Sequence, residues 1–211
     1  KEVSSKIRPH LQIVNFLSFG VGQRKVYSTR FTYASLMHFL LGWGFIELFF
    51  ATTVDFFVAR EWFVDYLPEF DTPWFAALND TGGIMLVSGV FMALFRRHIN
   101  KPDKLPHSNI AGRGNLLGDT GILIFLLIVG CGGFLTEAAR LAIEKPETAM
   151  YSYIGFAISH LLTTETWETL KPNLWWSHAI ASLIFIAIIP LTKMHHVIAV
   201  IINISLTNRK L

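Results

Sequence analysis

The chain has 211 residues, 52% of them apolar and only 16% charged, against roughly a quarter charged in an average soluble domain. That balance excludes disorder, a polar solenoid and a nucleic-acid-binding face, and the net charge of +3 reads as an asymmetry of loops facing anionic lipid. The single cysteine, Cys131, lies in an apolar run, which excludes a disulfide framework, a thiolate-held iron–sulfur cluster and, with no Cys-x-x-Cys-His, covalent c-type haem.

Residues 1–28 form a basic, mildly apolar segment, read as cytoplasmic or interfacial. The sequence starts at Lys1 without a methionine or a signal-peptide pattern, so upstream sequence is expected, and the basic segment reads as following an upstream helix. A bilayer core of about 30 Å takes about 20 apolar residues of helix, and residues 29–206 hold four stretches of that length. The first runs near Phe31 to Thr53, with His38 and Glu47 its strongly polar members. The second runs near Trp74 to Phe95, closed by Arg96 and Arg97. The third runs near Leu116 to Leu135, with Asp119 at its mouth. The fourth runs near Leu174 to Leu206, broken by Pro190, Lys193, His195 and His196. Tyr151 to Leu162 is apolar but too short to span, and reads as an interfacial or re-entrant helix. Residues 207–211 begin a cytoplasmic tail. The predicted fold is therefore an all-α membrane bundle, with four spans here and five once the upstream helix is counted.

The charges test this topology. With four spans, 14 of the 18 basic residues fall on the face that precedes the first span, face A, among them Arg24, Lys25, Arg96, Arg97, Lys101, Lys104, Arg113 and Lys193. The opposite face, face B, holds Arg60, Arg140, Lys145 and Lys171 with eleven acidic residues from Asp55 to Glu168. The excess of basic residues makes face A cytoplasmic and the chain a multi-pass protein of the cell membrane.

Ionisable groups inside a membrane are functional candidates by default. His38 lies toward face A on the first span; His178 lies near face B and His196 near face A on the last. In one continuous helix His178 and His196, 18 residues apart, point the same way about 27 Å apart, with His195 turned about 100° aside. Two such histidines suit two haems stacked across a bilayer, each needing a second ligand at matching depth. His38 matches His196. For His178 the first span offers only Glu47, Leu48, Phe49 and Phe50, so His160 on the short face B helix is the nearest partner. Histidines that bond carbonyls or line a water cavity are the alternative.

The run Pro190, Leu191, Thr192, Lys193, Met194, His195, His196, together with Trp175, Trp176, Ser177 and His178, resembles the last helix of the nitrate reductase gamma subunit family of b-type cytochromes. Further motifs in order are Gln23, Arg24 and Lys25; Leu36, Met37, His38 and Phe39; Gly42, Trp43, Gly44 and Phe45; Arg96 and Arg97; Lys101 and Pro102; Gly133 to Ala138; and Asn203. The nearest branch is that of the heterodisulfide reductase-like proteins and the sulfite-reduction-associated membrane cytochrome. The resemblance implies a five-helix domain with haem b that exchanges electrons between a menaquinone-type quinone and a cytoplasmic iron–sulfur subunit or fused domain. It makes His38 and His196 one axial pair and His178 half of another, while Leu48 stands where the family pattern supplies the fourth histidine. Glu47 then serves either proton release in quinol oxidation near face B or a bond to a neighbouring span. The competing function is a non-redox anchor or transporter whose intramembrane histidines bind protons or metal.

Overall fold

A computed structural model describes residues 9–22, 24, 32–62, 66–69, 71–100 and 117–206, and every regular element among them is helical. Helix α1 (Pro9–Asn15) runs into a π-helical turn, Phe16–Val21. The long helices are α2 (Thr32–Ala59), α3 (Pro73–His98), α4 (Gly118–Glu144) and α6 (Thr164–Ile188). A 3-10 turn, Ala149–Tyr151, precedes the short α5 (Tyr153–Ser159), and α7 (His195–Ser205) closes the order. Four of these helices are long and apolar enough to cross a membrane, which makes the chain a multi-pass membrane protein. Gln23, Lys25, Lys101, Pro102, Lys104, Arg113 and the tail 207–211 lie outside the described residues.

Local chemistry sets the helix ends. Pro73 opens α3 behind an extended Thr72, and Arg96, Arg97 and His98 occupy its last turn, where positive charge complements the helix dipole. Asp119 sits in the first turn of α4, the matching arrangement at a helix N-terminus. Thr163 caps α6 by accepting from the Thr166 N–H, with Glu165 following.

The spans pack through small residues. A Cβ on Gly44 of α2 would stand 2.4 Å from the Leu86 nitrogen and 2.7 Å from the Gly82 oxygen of α3. Only glycine permits that backbone approach. Beside this contact Leu86 and Val90 of α3, Ile122 and Leu126 of α4, and Phe185 and Ile189 at the end of α6 form the central core, joined by Leu41, Phe45 and Leu48 of α2. The outer side of α4 presents Ile124, Ile128, Cys131 and Leu135, all exposed at helical spacing, as a face bathed in lipid requires.

Two expectations are revised. The last span begins at Thr164, ten residues before Leu174, and the interruption expected at Pro190 takes the form of a 3-10 turn, Ile189–Leu191, and a turn to Met194, which separate it from α7. Pro190 has no N–H for the helical ladder, which accounts for the break. The third span runs on to Glu144, because Arg140 pairs with both Glu137 and Glu144 on its surface. The short apolar segment matches the expectation of a helix that does not span. Asp80 of α3 accepts from the Ile154 N–H at its start, Tyr153 bonds Thr81 at 2.8 Å, and Ser152 donates to Glu137 at 3.0 Å.

Candidate functional site

The break after α6 carries His196 to His38. Their rings lie 6.4 Å apart, centroid to centroid, at 60° between planes. Nδ1 of His196 donates to the Lys193 carbonyl one turn back, which leaves the lone pair on Nε2. Nδ1 of His38 is buried and unpartnered. The neighbouring His195 donates from Nδ1 to the Thr192 carbonyl at 2.7 Å and makes no ring contact with His38.

An ion-pair clamp sits directly before this histidine. Asp119 at the start of α4 takes Arg97 of α3 on one oxygen and Lys193 on the other, each at 2.7 Å. Thr192 beside them is fully buried and bonds the Ile189 carbonyl through its hydroxyl at 3.1 Å. Thus the ends of two spans hold the turn that presents His196. In the sequence Arg97 is read only as one of the basic residues of face A, which misses the clamp. The available signal was a lone acid in the first turn of a span whose neighbours end in basic residues.

His178 lies elsewhere, on α6 against the glycines of α4. A Cβ on Gly132 would stand 3.2 Å from His178 Nδ1, and one on Gly133 3.4 Å from its Cε1. Nδ1 is buried without a hydrogen-bond partner. The structure does not bring His160 to it. His160 stands before α6 begins, with Nδ1 on the Phe156 carbonyl at 2.8 Å and its ring 4.5 Å from Phe156. His160 lies beside Leu141 and Ala142 of α4, about 12 Å along that helix from Gly133, which meets His178. The pairing of His160 with His178 is thereby corrected. Sequence placed both near face B but gave no measure of depth.

The donor set discriminates between kinds of metal. The 6.4 Å between the His38 and His196 ring centroids leaves room for one metal ion between the two imidazoles. Among the described residues no three His, Cys, Asp or Glu side chains converge on a metal-sized point. A bare zinc or iron wants more ligands than this pair supplies; a haem brings its own equatorial nitrogens. The surroundings are apolar and aromatic: Phe45, two turns from His38 on the same side of α2, stacks on Phe49 and meets Phe185, which meets Phe125.

Comparison with known proteins adds one relative of interest. Over 221 aligned positions the chain is 25% identical to the EtfAB:quinone oxidoreductase of Syntrophomonas wolfei, a match that covers 91% of this chain and 27% of that protein. The chain thus spans about a quarter of the curated relative's length. No family model matches the chain, and no solved structure does.

Proposed function

We propose that this chain is the membrane domain of a quinone-linked electron-transfer oxidoreductase, with His38 and His196 as the axial ligands of a haem b toward face A. The spacing of those two rings, 6.4 Å between centroids, carries the reading. The similarity to an EtfAB:quinone oxidoreductase supports quinone as the membrane-soluble reactant and an electron-carrying protein, or a domain fused to this one, as its partner. An iron–sulfur centre in that partner and a location in the cell membrane with face A cytoplasmic complete the proposal.

A haem b held by His38 and His196 would supply reversible one-electron transfer. The chain's own residues fix where that happens. The Lys193 carbonyl orients the His196 ring and leaves the lone pair on Nε2. The clamp of Arg97, Asp119 and Lys193 holds the turn before it. The aromatic set Phe45, Phe49, Phe125 and Phe185 excludes water on the face B side. His178, buried against Gly132 and Gly133, offers one ligand for a second haem; no other described histidine makes a ring contact with it.

Absorption spectra and haem-to-protein ratios of purified full-length protein test the proposal. The wild type shows reduced b-type bands, and His38→Ala and His196→Ala each remove the same haem. Unchanged haem content in both variants refutes the pair.

A further inference from the structure

We propose, resting on the quinone-linked reading above, that a lipid quinone head group binds on the bilayer-facing flank of α2, between Trp43 and Glu47. Both residues hold a buried polar atom without a hydrogen-bond partner: Nε1 of Trp43 and Oε2 of Glu47. The first only donates and a carboxylate oxygen accepts. A buried donor and a buried acceptor left unpaired are each costly, so a pair of them calls for a ligand that satisfies both. Their spacing of four residues sets them one above the other on one side of the helix, about 6 Å apart along its axis. The two oxygens of a para-quinone stand on opposite edges of one flat ring, a separation close to one helical turn. In the quinol the indole N–H donates to one hydroxyl oxygen and the carboxylate accepts from the other hydroxyl; with the quinone, whose two oxygens only accept, Glu47 must carry a proton to donate to the second carbonyl.

Space and access agree with this ligand. Across from Glu47, Gly82 of α3 carries no side chain; a Cβ there would stand 3.0 Å from both the Cβ and Oε2 of Glu47. The Glu47 carboxylate lies against Gly82 at the seam of α2 and α3, and the ligand reaches it from the lipid-exposed edge of that seam. Phe39 and Phe50, 44% and 50% exposed, flank the same side of α2, and the Phe39 ring lies 6.2 Å from that of Trp43. Exposed rings beside an indole suit a flat aromatic head group. The flank opens on the bilayer, so its ligand arrives dissolved in lipid. His38, nine residues before Glu47, faces about half a turn away. The quinone and the His38–His196 pair thus sit on opposite sides of α2, with the helix between them.

The experiment uses full-length protein in lipid nanodiscs and a fluorescent quinol analogue, 2-heptyl-4-hydroxyquinoline N-oxide, whose quenching reports binding. Trp43→Phe and Glu47→Gln each weaken binding about tenfold, the expected loss of one hydrogen bond to a buried group. Gly82→Ala, whose Cβ presses on the Glu47 carboxylate, weakens it. Phe91→Leu, at an exposed position on α3, leaves binding unchanged. Haem content is read on the same samples. Wild-type binding in Trp43→Phe and Glu47→Gln, or no binding by the wild type, overturns the site even where haem is present. Binding that depends on both residues in protein without b-type haem upholds the site and refutes the haem reading instead.

Discussion

Removing the carboxylate of Asp119 tests the clamp that presents His196. Asp119 and Arg97 side chains are 15% and 16% exposed and meet at 2.7 Å. Breaking a buried pair by deleting one partner costs about 3–5 kcal/mol, because the other charge is left uncompensated; a pair in water is worth about 0–1 kcal/mol. Asp119→Ala falls nearer the buried limit, at about 2–3 kcal/mol. The Lys193 ammonium is 49% exposed, and Lys193→Ala, discounted for screening by solvent, costs about 0.5 kcal/mol. For a domain of this size about 2–4 °C of Tm corresponds to 1 kcal/mol. Thermal unfolding in detergent should thus fall by about 5–10 °C for Asp119→Ala and by about 1–2 °C for Lys193→Ala. The double variant Arg97→Ala/Asp119→Ala should be less destabilised than the sum of its singles, since neither buried charge remains alone. Additive singles, or a Lys193→Ala as damaging as Asp119→Ala, would refute this account of the clamp.

Gly44→Val should destabilise by about 1–3 kcal/mol or more, because its Cβ meets the α3 backbone at 2.4 Å and backbone cannot rotate aside; Gly121→Ala, whose Cβ meets only the Leu117 side chain, at 3.2 Å, should stay within about 0.5 kcal/mol in the same unfolding assay. Gly132→Val sets a branched side chain against His178 Nδ1 and should remove any haem signal that depends on His178 while sparing the one lost in His38→Ala, as read by reduced-minus-oxidised spectra. A cysteine in place of Lys104 should resist a membrane-impermeant maleimide added to intact cells, as the excess of basic residues on face A requires; efficient labelling reverses the orientation.

The spans were legible because lipid demands about 20 apolar residues in a row, and α2 and α3 each extend only a few residues beyond the expected bounds. The ends were harder to read where charge lies on the helix itself. Glu137, Arg140 and Glu144 look like a solvated boundary in one dimension, yet at spacings of three and four Arg140 pairs with both carboxylates and α4 continues. Likewise Glu165 and Lys171 lie inside α6, whose start is marked by the Thr163 cap and not by the first apolar residue. At the site, the nearness of His38 to His196 was legible as matched depth on two spans. The mismatch of His160 with His178 was not, since a face label carries no depth along the helix. The unpaired atoms of Trp43 and Glu47 were legible only as a spacing; that neither finds a partner is a property of the packed neighbours.

The interruption between Ile188 and His195 also bears on how such a chain changes over generations. In an unbroken helix, any twist that adjusts His178 is carried rigidly to residue 196, so a change tuned to one end disturbs the other. Here the turn around Pro190 absorbs it. The segment holding His178 answers to the α4 glycines, and the one holding His196 to Asp119. Mutations at either end are thereby modular, and the two ends of the last span are free to drift in chemistry at separate rates.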